Sequence, residues 1–148
     1  MKQEDKELLL QDLSARLPYG VKALYYGSEE KVLTVDTIEA IYIQPSVEIV
    51  IGQYGLELDE VKPYLRPMSS MTEEEKKEFI EYAGYEIEES VNGRHYEYYL
   101  KDFCGTPNNP SVNANGVDWL NKKMFDYRGL ILKSLAIEVT EDNNPYKD

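Results

Sequence analysis

Two side chains in this sequence have the chemistry of a nucleophile and a base. His95 is the single histidine, and Cys104, nine residues later, is the single cysteine. A thiol and an imidazole within hydrogen-bond reach can act as such a pair, but the sequence favours an exposed hairpin histidine and a small buried thiol. The chain contains no glycine-rich phosphate loop, no paired-histidine zinc motif and no dinucleotide fingerprint.

Carboxylates are the other candidate chemistry. The chain has 28 Asp and Glu against 16 Lys and Arg, a formal net charge of −12. A carboxylate pair could do acid–base or glycosidic chemistry, but this abundance makes no pair specific, and no spacing resembles a calcium loop. We therefore predict no catalytic residue, no cofactor and no metal ion.

The negative charge is concentrated in the middle of the chain. Residues 1–66 hold 7 basic and 12 acidic side chains, residues 67–100 hold 3 and 9, and residues 101–148 hold 6 and 7. A surface of this sign repels phosphate, which argues against direct nucleic-acid binding, and it could attract a basic protein. The same charge also suits a solvated face that only keeps the protein soluble.

Thirteen tyrosines are the unusual feature of the composition. Tyrosine joins a large apolar ring to a polar tip, which suits interfaces. The cluster beside the most acidic segment consists of Tyr82, Tyr85, Tyr96, Tyr98 and Tyr99. From it we predict a partner-binding surface formed by Glu86, Glu88, Glu97 and Tyr99. The alternative is that alternate tyrosines face the core of a small sheet.

A second candidate patch contains Trp119, Tyr127 and Arg128. Trp119 is more typical of a packing anchor. Arg128 is more typical of an intramolecular partner for an acid such as Asp118 or Asp126.

The elements that would position these groups begin with an amphipathic helix over residues 5–17, with leucines at helical spacing and Pro18 at its end. Short β-branched or alternating runs follow, and they predict strands at residues 21–26, 31–38, 39–43, 47–51 and 56–61. Tight turns between them indicate an antiparallel sheet that could curl over the first helix or close into a small barrel.

The junction at residues 58–72 separates this strand-rich half from a helical one. Pro63 and Pro67 favour an extended chain there. Thr72 with Glu75 forms a capping box, which predicts a helix beginning at Thr72 and ending at Gly84.

The remaining elements are a hairpin, a loop and C-terminal helices. Asn92-Gly93 predicts a two-residue turn in a hairpin over residues 85–100, and residues 105–116 indicate a loop. A helix over residues 117–125 and a second short helix capped by Asp126 follow. Residues 136–139 are predicted to be extended, and the last eight residues a loose tail.

Composition and length predict one α+β domain spanning residues 1–148, with sub-parts at 1–66 and 67–148. No apolar run approaches the roughly 20 residues that span a bilayer, and the first ten residues are too charged for a signal peptide. A single cysteine permits no internal disulfide. We therefore expect a cytoplasmic protein that does not bind membranes; its oligomeric state stays open.

Two blocks, KPYLRPMSSMTEEEKKEF (62–79) and VDWLNKKMFDYRGLILKSLAIEV (117–139), resemble segments of a family of small proteins from gut bacteria and their prophages that has no assigned function. The resemblance does not extend to residues 85–100 or 105–116. It implies a cytoplasmic protein of mobile or accessory genes, among which interaction and counter-defence roles are common. No residue role is carried over from it.

These features together predict a non-enzymatic, acidic protein-interaction module that contacts a basic protein partner. A narrower version is a phage-derived inhibitor or a nucleic-acid mimic. The alternative is a small enzyme that uses carboxylates in a pocket between the sheet and the C-terminal helices.

Overall fold

The fold combines helices and strands that are separate along the chain, which confirms the α+β class. The computed structural model describes residues 1–25, 29–32, 40–42, 48–51, 54–83 and 114–147, with side chains at 1–24, 57–82 and 114–147. The described chain forms two compact units: Met1–Leu65 with Leu130–Asp148, and Arg66–Gly129. We call them unit 1 and unit 2.

Unit 1 begins with helix α1, Gln3–Arg16, two residues ahead of the predicted start. After α1 the chain continues in a 3₁₀ turn, Leu17–Tyr19, which contains Pro18. Proline fits there because it is tolerated in the first turn of a helix. Gly20 ends that turn in the left-handed region at φ 73°. The buried face of α1 carries Leu9 and Leu13 as the leucine spacing predicts.

The strands of unit 1 form two sheets. The first has the order β2-β1-β6-β7 and the second β3-β4-β5. Their bounds are β1 Lys22–Tyr25, β2 Glu29–Val32, β3 Ala40–Tyr42, β4 Glu48–Ile51, β5 Tyr54–Glu57, β6 Val61–Leu65 and β7 Ile137–Glu138. All pairs are antiparallel except β6 with β7, which is parallel.

Three expectations about the sheet need correction. The strand predicted at residues 56–61 is interrupted, because Leu58–Glu60 form a 3₁₀ turn fixed by a capping box between Glu57 and Glu60. One antiparallel sheet is replaced by two, one of them mixed. Over the described strands the four-stranded sheet is open, with β2 and β7 at its edges, and does not close into a barrel.

The predicted extended junction is strand β6. Pro63 lies opposite Ala23 of β1, whereas β7 pairs only with Tyr64 and Leu65. A proline lacks the backbone donor that a ladder uses, and the parallel pairing starts one residue beyond it. The proline is therefore compatible with a strand that has a neighbour on each side.

The core of unit 1 is made by one face of α1, the first sheet and the segment around β7. Its buried apolar side chains are Leu9, Leu13, Val21, Ala23, Leu58, Val61, Leu65, Leu130, Leu135 and Ala136. Each fully buried leucine or valine contributes about 1.5–3 kcal/mol relative to exposure. Asp12 and Arg16 lie on the same helix with no exposed surface, joined by two hydrogen bonds of 2.9 Å.

Unit 2 is built on helix α2, Glu73–Ala83, which packs against helix α3, Ala114–Lys122. α3 starts three residues before the predicted 117, so residues 114–116 are helical and not part of a loop. The core of unit 2 contains Met71, Phe79, Ile80, Trp119, Leu120, Phe125 and Tyr127.

Helix α3 ends in a Schellman motif. Phe125 N–H donates to Leu120 O at 3.0 Å and Met124 N–H to Asn121 O at 3.1 Å, with Met124 at φ 63°. The reversed chain then pairs with Arg66, whose N–H donates to Met124 O at 2.7 Å and whose carbonyl accepts from Asp126 N–H at 2.8 Å.

The prediction of a second C-terminal helix after Asp126 is wrong. Leu130–Ser134 form a turn of the same Schellman type, in which Leu135 N–H donates to Leu130 O at 3.0 Å and Ser134 has φ 60°. The extended run at 136–139 is confirmed by β7. The prediction that the last eight residues form a loose tail is also wrong, because Pro145 is buried and Tyr146 is hydrogen-bonded to the sheet.

Candidate functional site: the outer face of α2

Helix α2 starts at the predicted capping box. Glu75 N–H donates to Thr72 Oγ1 at 3.1 Å, and Thr72 N–H donates to Glu75 Oε1 at 3.2 Å. Three glutamates, from Glu73 to Glu75, lie in the first turn, where the helix dipole favours negative charge. Local sequence alone therefore accounts for an acidic helix start at this point.

Glu75 faces the protein and is neutralised there. Its two carboxylate oxygens accept hydrogen bonds of 2.8 Å each from the Arg66 guanidinium, whose centre lies 4.1 Å from the Phe125 ring centroid. Arg66 holds the pKa of Glu75 below its usual value; burial acts in the opposite direction, and the Thr72 N–H adds to the lowering. Glu75 therefore stabilises the fold and adds little to the surface potential.

The side of α2 that faces away from the buried Phe79 and Ile80 presents the candidate surface. We call Glu74, Lys77, Glu78, Glu81 and Tyr82 the outer face of α2. Glu74, Lys77, Glu78 and Glu81 recur at i, i+3, i+4 and i+7, the spacing that places side chains on one side of a helix. All five residues are exposed, and Tyr82 exposes 54% of its surface.

Cations reduce the charge of α2 without cancelling it on the outer face. Lys76 Nζ lies 2.9 Å from Glu73, and Lys123 Nζ lies 4.0 Å from Glu78. Within the described part of the chain, Glu74 and Glu81 form no ion pair. The surface potential of this helix therefore comes from fewer carboxylates than its sequence suggests.

Glu78 lies at the rim of the outer face and is held in place. Trp119 Nε1–H donates to Glu78 Oε1 at 3.1 Å, and Lys123 Nζ lies 5.9 Å from the Trp119 ring centroid. The Glu78 side chain still exposes 53% of its surface. One oxygen of this carboxylate is thus oriented by the core while the group stays accessible.

The second predicted patch belongs to the core. Trp119 packs against Phe79 at a centroid distance of 5.5 Å and stacks on Phe125 at 5.8 Å, which confirms its role as a packing anchor. Tyr127 is buried, and its hydroxyl donates to Asn121 Oδ1 at 2.8 Å. The patch is wrong as a surface, because both aromatic rings are inside. The Arg128 guanidinium centre lies 4.5 Å from the Tyr127 ring centroid.

The predicted partner-binding residues Glu86, Glu88, Glu97 and Tyr99 lie outside the described residues, as do His95, Cys104 and the predicted hairpin. Over the ranges that the structure does describe, no group of three or more His, Cys, Asp or Glu side chains is placed to hold a metal ion. No helix in those same ranges has the length and apolar character needed to cross a bilayer.

Comparison of the chain with protein-family models, with curated proteins and with solved structures returns no match. The resemblance to a gut-bacterial and prophage family stays a prediction, and no residue role is transferred from a relative.

Sequence reasoning missed the roles of Arg66 and Glu78. The pairing of Arg66 with Glu75 had no sequence signal, because it depends on where the chain enters α2. The outer face of α2 did have a sequence signal. At 3.6 residues per turn, Glu74, Glu78 and Glu81 lie on the side of the helix opposite the apolar pair Phe79 and Ile80.

Proposed function

We propose that this protein is a non-enzymatic protein-interaction module that binds a basic protein surface through the outer face of α2. The supporting observation is the arrangement of Glu74, Glu78 and Glu81 around one lysine on an exposed helix face, with Tyr82 beside them. An exposed face with excess negative charge attracts lysine- and arginine-rich surfaces and repels phosphate.

The rigidity of the support favours this proposal. The inner side of α2 is anchored by Phe79 and Ile80, each 1% exposed, in an aromatic cluster with Trp119. Side chains held on a packed helix lose less conformational freedom on binding than those on a mobile loop. The Glu78 carboxylate, oriented by Trp119 Nε1–H, is partly pre-organised for the same reason.

Tyr82 adds the apolar contact that a purely charged face lacks. Exposed carboxylate–ammonium pairs contribute only about 0.2–1 kcal/mol each, so charge steers association more than it holds a complex. A tyrosine ring buries a large apolar area and keeps a hydroxyl for hydrogen bonding. We expect Tyr82 to lie at the edge of the contact and the carboxylates to set its orientation.

The test is affinity capture with the full-length chain as bait, at about 0.1 M and about 1 M salt, where the Debye length falls from about 10 to about 3 Å. A partner of the outer face is captured at low salt and lost at high salt. The variant Glu74→Lys, Glu78→Lys, Glu81→Lys should lose the same partner at low salt, with unchanged far-UV circular dichroism.

A matched variant controls for net charge. Glu4→Lys, Glu7→Lys, Glu141→Lys makes the same change in charge at exposed positions of unit 1. It should retain the partner. Equal loss in both variants would show a non-specific charge effect, and equal retention in both would remove the outer face from the interaction.

The residues predicted from the sequence to bind a partner lie outside the described ranges, and a separate variant tests them. Glu86→Lys, Glu88→Lys, Glu97→Lys tests whether the acidic surface continues past α2. If this variant alone loses the partner, the binding surface lies there and the proposal for the outer face fails. If the captured partner is a DNA-binding protein that DNA displaces, the narrower inhibitor or mimic version is supported.

A further inference from the structure

The end of the chain is an ordered segment with its own internal hydrogen bonds. Asn143 Oδ1 accepts from Thr140 N–H at 2.6 Å and from the Thr140 hydroxyl at 2.8 Å, and Asn143 Nδ2 donates to Glu138 O at 3.0 Å. Tyr146 N–H donates to Asn144 Oδ1 at 3.0 Å. These bonds give residues 140–146, which we call the C-terminal strap, a fixed local shape, and the bond to Glu138 O also joins the base of the strap to β7.

The strap is joined to the first sheet through one hydroxyl. Lys22 N–H donates to Tyr146 Oη at 3.0 Å, and that hydroxyl lies 2.7 Å from Tyr64 O and 3.3 Å from Lys22 O. The shorter distance indicates donation to Tyr64 O. One phenol thus satisfies a donor from β1 and an acceptor from β6.

The hydroxyl lies where the β1–β6 ladder stops. The paired residues end with Ala23 opposite Pro63, so the next pair in this register would be Lys22 with Tyr64. The Tyr146 hydroxyl bridges these two residues instead. Beside it, Lys22 Nζ donates to Pro145 O at 2.5 Å, and Pro145 itself is buried.

We propose that the C-terminal strap opens and closes as one unit over the ends of β1 and β6, with the Tyr146 hydroxyl as its latch. Its internal bonds keep it together, and the Tyr146 hydroxyl and the Lys22 ammonium attach it to β1 and β6. Opening leaves Lys22 N–H and Tyr64 O without the hydroxyl that joins them, as a donor and an acceptor at the end of the β1–β6 ladder. This inference concerns unit 1 and is independent of the outer face of α2.

Amide hydrogen exchange on the full-length chain tests the latch. In Tyr146→Phe the ring remains and the hydroxyl is lost. Exchange of the Lys22 amide should rise about five-fold, the factor that corresponds to one net hydrogen bond of about 1 kcal/mol. The Thr140 and Tyr146 amides of the strap should rise by a similar factor, and the Leu13 amide in α1 should not change.

Two further variants make the result specific. Tyr82→Phe makes the same chemical change at an exposed tyrosine of unit 2 and should leave all these amides unchanged. Lys22→Met removes the ammonium contact to Pro145 and should loosen the strap amides by a smaller factor.

Three outcomes overturn the proposal. In the first, Tyr146→Phe leaves exchange at Lys22 unchanged. In the second, only the Lys22 amide responds, so the strap does not move as a unit. In the third, Leu13 rises with the strap, so the strap opens only when unit 1 unfolds.

Discussion

The ion pair between Arg66 and Glu75 allows the sharpest quantitative test of unit 2. Arg66→Met keeps an unbranched side chain beside the Phe125 ring and removes the guanidinium. Glu75→Gln removes the charge but leaves an amide oxygen that can still accept the Thr72 N–H, so the capping box survives. The two variants and their combination isolate the pair from its surroundings.

The expected magnitude follows from the geometry. Two hydrogen bonds of 2.8 Å join the charged groups, with side-chain exposures of 24% for Arg66 and 17% for Glu75. A hydrogen bond to a charged group contributes about 1.5–3 kcal/mol to stability. Because the pair is partly exposed, solvent lowers this contribution towards that of a surface ion pair, which is about 0.2–1 kcal/mol. We expect a coupling energy of about 1–2 kcal/mol.

The assay is urea denaturation of the four proteins, followed by tryptophan fluorescence. Trp119 is the single tryptophan, and it is buried against Phe79 and Phe125, so its emission reports on unit 2. The coupling energy is the difference between the double variant and the sum of the single variants.

The coupling also has a predicted pH dependence. Because the pKa of Glu75 is lowered in the folded protein, the stabilisation is complete above the ordinary glutamate pKa of about 4.3 and is lost as pH falls through the lowered value. The coupling should therefore be constant from neutral pH down to about 5 and decline below about 4. A coupling below about 0.5 kcal/mol at pH 7, or one that persists in acid, refutes the reasoning.

The remaining predictions concern a cap, two turns and a buried pair. Thr72→Ala should lower the free energy of unfolding by about 1 kcal/mol in urea denaturation, because a helix donor loses its acceptor; no change would show that the cap is dispensable. Ser134→Gly should raise the thermal midpoint, because Ser134 is exposed at φ 60° and glycine relieves about 1 kcal/mol of backbone strain there. Met124→Gly should lower the thermal midpoint, because the buried methionine side chain is lost. Equal shifts in the two variants would contradict this contrast. Asp12→Asn should lower the free energy of unfolding by about 1–3 kcal/mol, because the carboxylate that accepts two hydrogen bonds from the buried Arg16 guanidinium loses its charge. Urea denaturation followed by circular dichroism measures this, and an unchanged value would contradict a stabilising role for the pair.

Local patterns in the sequence predicted the elements whose structure depends on near neighbours. The start of α2 needed only Thr72 and Glu75, and the buried face of α1 needed only the spacing of Leu9 and Leu13. The helical period of α2 also places Glu74, Glu78 and Glu81 on one face, a signal that the predictions did not use. In each case the interacting groups are within one or two turns of each other, so a short window contains the whole cause.

Predictions failed where local hydrogen bonds compete with the apolar pattern of the sequence. Residues 58–60 are alternating and read as strand, but a capping box between Glu57 and Glu60 makes them a 3₁₀ turn. After Asp126 the pattern allows a helix, but Ser134 in the left-handed region ends the turn after a few residues. Local hydrogen bonds overrode the apolar period in both places.

The sequence by itself determined the α+β class, the helix that begins at Thr72 and the acidic character of that helix. Only the tertiary structure decided which carboxylates are neutralised, because Arg66 reaches Glu75 through the path of the chain and not through a repeat. It also decided the parallel pairing of β7 with β6 and the contact of Tyr146 with Lys22, which are 124 residues apart. Pairings over such separations depend on how whole elements pack, and no local window contains that information.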